Sequence, residues 1–163
     1  MDWQPWLRFA HILGAFTFVL AHGVSAFTAI KLRGERDPAR VTALLDLSKL
    51  SLPIADVAIL ILLVTGIAGG FVGGYWGHLW IWLAIGVLVF LFAFMSVRGV
   101  KHHDALRHAL GLAGFYDHKG ATIPDADPAA LARELDSPRA LELAAVGGIG
   151  LLVILYLMVF KPV

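Results

Sequence analysis

The chain has 163 residues, 59% of them hydrophobic and 15% charged, with a mean hydropathy of +0.79. A soluble domain carries about 25% charged and 45–50% apolar residues, so too little polar surface is present here to cover a water-soluble globule, and an ordinary soluble enzyme or a disordered tail is excluded. Thirteen Lys+Arg against twelve Asp+Glu leave a net charge of +1, which gives no basic surplus for nucleic acid; the absence of cysteine removes disulfides, thiolate metal sites, iron–sulfur clusters and covalent haem attachment.

Four stretches are long and apolar enough to cross a bilayer core as helices, which takes about 20 residues. They run approximately over residues 6–30, 52–71, 79–97 and 141–160. The expected fold is an all-α, four-helix membrane bundle forming one domain over residues 1–163. The first stretch lacks a preceding basic region and carries two histidines, so it reads as a retained helix rather than a signal peptide. Between the first and second stretches, Asp37-Pro38 reads as an N-cap with proline at the first helical position. The helix it opens runs into the second span, where Pro53 is expected to introduce a kink.

The turn Gly73-Gly74-Tyr75-Trp76-Gly77 is uncharged. Residues 98–140 form the long loop, in which Asp127-Pro128 opens a short amphipathic helix over residues 130–135. Ser137-Pro138 reads as the cap of the fourth span, and residues 111–127 as plain loop. Lys31, Arg33, Arg36, Arg40 and Lys49 lie in the first connection; Arg98, Lys101, Arg107, Lys119, Arg133 and Arg139 lie in the third. The positive-inside rule therefore predicts both loops in the cytoplasm and both termini outside, in a prokaryotic inner membrane. Trp3, Trp6, Tyr75, Trp76, Trp80 and Trp82 mark the outer boundary, where amphipathic rings are favoured.

Ionisable side chains at bilayer depth are costly, and each needs a reason. His11 and His22 are eleven residues apart on the first helix, about 20° beyond three full turns with a rise of ~16 Å, so they share one face. They are either hydrogen-bonded to neighbouring helices or axial ligands of a b-type haem, whose macrocycle needs small neighbours. Ala10, Gly14 and Ala15 flank His11; Ala21, Gly23, Ser25 and Ala26 flank His22. His78, ~14 Å outside the midplane, and His11, ~10 Å outside, are at similar depth and form the candidate iron-ligand pair. Met158 is a weaker partner for His11, and Met95 lies at a tolerable depth for His22. Asp56, ~8 Å inside the midplane, is placed to orient His22 or to pass a proton, or to pair with Arg98 or Lys49.

In the loop, Asp104 and His108 are spaced i,i+4 beside His102, His103 and His118, a pattern that a basic juxtamembrane helix on anionic lipid explains as well as a metal does. Gly66, Gly70 and Gly74, and likewise Ala144 and Gly148, are small-residue stripes that serve helix contact within the bundle or in a homodimer.

Three segments carry a family likeness: Arg8-Phe9-Ala10-His11-Ile12-Leu13-Gly14, Pro53 with Thr65-Gly66, and Tyr75-Trp76-Gly77-His78-Leu79-Trp80. In them the chain resembles the superfamily of small four-helix membrane proteins containing the copper-resistance protein D domain, the HemJ-type protoporphyrinogen oxidases and uncharacterised relatives. The HemJ-type branch implies haem b with His11 as ligand; the copper branch implies transport or handling of copper at the periplasmic side. The lysine that follows the third-helix histidine in the HemJ type is replaced here by Leu79-Trp80-Ile81-Trp82, so protoporphyrinogen oxidation is not carried over.

The leading expectation is a b-type haem protein that moves electrons, with His11, His78, His22, Gly14 and Ser25 around the cofactor and Asp56 behind it. The alternatives are a copper or proton transporter along His11, His22 and Asp56, and an accessory subunit of a larger respiratory or photosynthetic complex. Against copper, Met1, Met95 and Met158 are the only sulfur donors.

Overall fold

The computed structural model describes residues 2–115, 117–118 and 120–162, and the described residues contain helices and loops but no strand. Lys119 and Met1, both invoked above, lie outside them. Helix α1 spans Gln4–Leu32 and α2 spans Pro38–Val72. A 3₁₀ turn at Tyr75–Gly77 leads into α3, Leu79–Phe94, which passes through a π-helical turn at Met95–Gly99 into α4, Val100–Ala109. Helices α5, Pro128–Asp136, and α6, Arg139–Phe160, complete the chain. Four helical stretches are long and apolar enough to cross a membrane, which makes this a multi-pass membrane protein. Large apolar side chains on their outer surfaces, Phe27 and Leu20 among them, are exposed, as lipid-facing residues must be.

Local signals explain most boundaries. The Asp37 carboxylate accepts the Ala39 N–H, and Asp127 accepts those of Ala129 and Ala130, so both Asp-Pro pairs cap as expected. Helix α2 continues through Pro53 without a break. Ser137 departs from that expectation: its N–H bonds Glu134 O at the end of α5, its hydroxyl has no partner among the described residues, and α6 starts after Pro138 with no side-chain cap. Proline at 138 is already helical in backbone conformation, which moves the cap position past the serine. Gly74, at φ +66°, makes the left-handed turn before the 3₁₀ segment, so it belongs to the turn and not to a helix-contact stripe.

The helices pair as α1 with α2 and α3 with α6, joined chiefly through α1 and α6. Two apolar clusters hold the ends. At the end bearing the two connections, the loop end, Leu32, Val41, Leu45, Leu106 and Leu135 converge. At the end bearing the termini, Trp80, Ile81, Ala84 and Leu157 do so, with Tyr75, Trp76 and Met158 beside them. The middle of the bundle is built from Gly, Ala and Ser, and a cavity lies there toward the loop end.

Candidate functional site

Three side-chain polar contacts join α1 to α2, two of them short. His11 Nδ1 lies 2.9 Å from Thr65 Oγ1, and Ser25 Oγ lies 2.7 Å from Ser51 Oγ. The Thr65 hydroxyl donates to Ile61 O at 2.6 Å, so the imidazole is the donor in the first pair. The His11 ring rests on Gly66, whose added Cβ would come within 3.3 Å of Cε1. Gly14 is filled from the other side by Ile61 and Leu62, and His11 does not line the cavity toward the loop end. His78 is exposed at the start of α3, and no contact among the described residues joins it to His11. Met158 sits in the apolar cluster at the terminal end.

His22 is placed differently. A Cβ built on Gly147 of α6 would stand 2.5 Å from His22 Nε2 and 2.9 Å from Met95 Cε. An imidazole of α1 and a thioether from the π turn therefore face one notch that exists because residue 147 lacks a side chain. The other side of the His22 ring stacks on Phe18, 5.8 Å between centroids and 14° between planes. A π turn widens the local helix by one residue and recurs at functional sites; here it delivers Met95 to the bundle interior.

The notch opens onto the cavity, of about 180 Å³, bounded by His22, Ser25 and Thr28 on α1, Ser48 and Ala55 on α2, and Met95 and Gly99 on the π turn. His102, His103 and Phe115 bound it toward the loop end, and Leu143 and Ala144 on α6 complete it. Ser48 Oγ donates to Ser25 Oγ at 3.3 Å and Ser51 Oγ to Ser48 O at 2.7 Å, so the hydroxyls form a small network beside His22. His103 Nε2 lies 3.3 Å from Leu45 O, while Nδ1 of His102 and of His103 has no hydrogen-bond partner among the described residues. Burial holds both of these imidazoles, which lie beyond the apolar spans, below the usual histidine range; Glu134 opposes the effect at His102 and the Leu45 carbonyl opposes it at His103.

No family model, curated protein or solved structure matches this chain.

Asp56 is exposed on the flank of α2 and has no ion pair with His22, Arg98 or Lys49 among the described residues. Arg98 instead faces Glu142 at 3.4 Å, and Lys49 lies over the Phe115 ring. The loop histidines form no metal cluster among the described residues. His108 bonds Asp117 at 2.9 Å, and Asp104 accepts the Phe115 N–H, so both are used in folding the loop. Gly66 and Gly70 are filled from within the chain, by His11 and Trp76.

A haem needs a space for its macrocycle. At about 180 Å³ the cavity is below the ~300–1,000 Å³ of pockets that take drug-sized ligands, and neither His11 nor His78 borders it. At Gly147 the place of a side chain is taken by the His22 ring and the methyl end of Met95, so the residues that carry an imidazole nitrogen and a thioether sulfur lie side by side there.

Proposed function

We propose that this protein binds one soft transition-metal ion, copper(I) foremost, between His22 and Met95, and exchanges it with the loop end through the cavity. The observation that carries the reading is that His22 Nε2 and the methyl Cε bonded to the Met95 sulfur lie side by side against Gly147. Thioether and imidazole together favour copper over the hard divalent ions. Binding through Nε2 leaves the ring proton on Nδ1. The Ser25–Ser48–Ser51 hydroxyls keep the polar side of the cavity hydrated or bonded, and the apolar walls keep it narrow. The copper branch of the family likeness supports the choice of metal, and differs in placing copper handling at the periplasmic side. By the positive-inside rule the loop end faces the cytoplasm of a prokaryotic inner membrane, so exchange is with the cytoplasmic side.

The test is copper content per chain after loading the detergent-purified protein with copper(I) under reducing conditions and removing excess. The expected result is one copper per chain, lost in His22→Gln and in Met95→Leu and kept in His11→Gln. Met95→Leu conserves volume, so folding survives it. Retention unchanged by both substitutions overturns the proposal. So does a Soret band in the protein as purified, which returns the site to haem.

A further inference from the structure

A second pocket, of about 250 Å³, lies at the loop end, lined by Arg98, Lys101, His102 and Arg139. It is separate from the Gly147 notch and nothing proposed for His22 depends on it. All four lining residues are basic, three of them permanent cations. The neighbouring carboxylates are engaged elsewhere on the same groups: Glu142 with Arg98 at 3.4 Å, and Glu134 with Arg139 at 2.9 Å and, less closely, with His102 at 3.4 Å. Lys101 has no ion pair among the described residues.

Two further observations point to a ligand. His102 is only 7% exposed, and its Nδ1, 3.4 Å from Glu134 Oε2, makes no well-formed hydrogen bond among the described residues; a buried polar atom held this loosely is uncommon and leaves a place for a better acceptor. Arg139 also opens α6, a helix of 22 residues whose first turn carries no side-chain cap, so free N–H groups and the positive end of the helix dipole adjoin the same pocket. The pocket lies where the third and fourth spans leave the apolar region, at the depth of lipid headgroups.

We infer that this pocket binds a phosphate group, held by Lys101, Arg98 and Arg139 with His102 at its base. Its position at the membrane boundary makes the phosphodiester of an anionic phospholipid the fitting source; free phosphate has the same chemistry. Basic pockets between transmembrane helices recognise lipid headgroups in this way.

The experiment is native mass spectrometry of the full chain with phosphatidylglycerol or phosphatidylcholine, repeated with excess inorganic phosphate. The wild type is expected to retain phosphatidylglycerol over phosphatidylcholine. Lys101→Gln is expected to reduce that retention about tenfold, the usual size of one charge-assisted contact. Lys31→Gln, an exposed cation at the same end, leaves it unchanged. Retention of phosphatidylglycerol that resists inorganic phosphate identifies the lipid as the source. Phosphate binding by ³¹P line broadening, lost in Lys101→Gln and without lipid preference, identifies free phosphate. Equal weakening by Lys101→Gln and Lys31→Gln, or no binding of either ligand, overturns the proposal.

Discussion

Glycine 147 and glycine 148 are neighbours with opposite surroundings. A methyl group at 147 meets His22 Nε2 and Met95 Cε, whereas at 148 it meets nothing within 4 Å. Gly147→Ala is therefore expected to displace the His22 ring and the end of the Met95 side chain, to lower copper retention at least tenfold and to cost about 1–3 kcal/mol through overpacking. Gly148→Ala leaves both nearly unchanged, and a copper assay paired with thermal unfolding of the two variants checks the contrast. The same scale separates the two histidines of α1. Thr65→Val removes the acceptor of His11 Nδ1–H and leaves a partly buried donor unpaired, at a cost of about 1–3 kcal/mol. Copper retention in Thr65→Val is expected to match the wild type, because His11 joins α1 to α2 and does not border the cavity. Loss of copper in that variant would mean that His11 belongs to the metal site.

At the scale of helices, much was legible in the chain, and the reason is local. Span length and hydropathy need no tertiary information, and an Asp-Pro pair at a helix start states its own geometry. Asp127→Ala, which removes the acceptor of two N–H groups at the start of α5, is expected to cost about 1 kcal/mol, read as a lower unfolding temperature. Ser137 carries the same pattern, but its neighbour Pro138 became the cap residue, so sequence alone misplaced it. Partner choice between spans was not legible. These helices are apolar all round and dotted with small residues, so no stripe singles out a neighbour. Depth counting put Met95 within reach of His22, yet the π turn that turns Met95 inward has no sequence signature here. The same counting put Asp56 beside His22, but depth does not fix azimuth, and Asp56 falls on the exposed flank of α2.

Across the whole molecule, the loop end is a cap of ion pairs and histidines closed over the cavity, and its response to acid follows from its burial. His102 faces Glu134 on α5, Arg139 on α6, and Arg98 and Lys101 on its own chain segment; His103 faces Asp104, Arg107 and Lys49. Desolvation holds both imidazoles below their ordinary value of 6.5, so the folded cap binds fewer protons than the unfolded chain. Stability then rises with pH through this range. The contribution is complete above the unfolded pKa, begins to be lost as pH falls below 6.5, and goes on falling until the folded imidazoles themselves protonate. Asp117, held low chiefly by its bond to His108, adds a second loss of the same sign at more acidic pH. Thermal unfolding in detergent should therefore show a falling transition temperature as pH is lowered through and below 6.5. His102→Gln, which cannot charge, should flatten that dependence while retaining the fold. A transition that rises on acidification would mean that Glu134 outweighs burial at His102, and that the cap tightens around a charged imidazole.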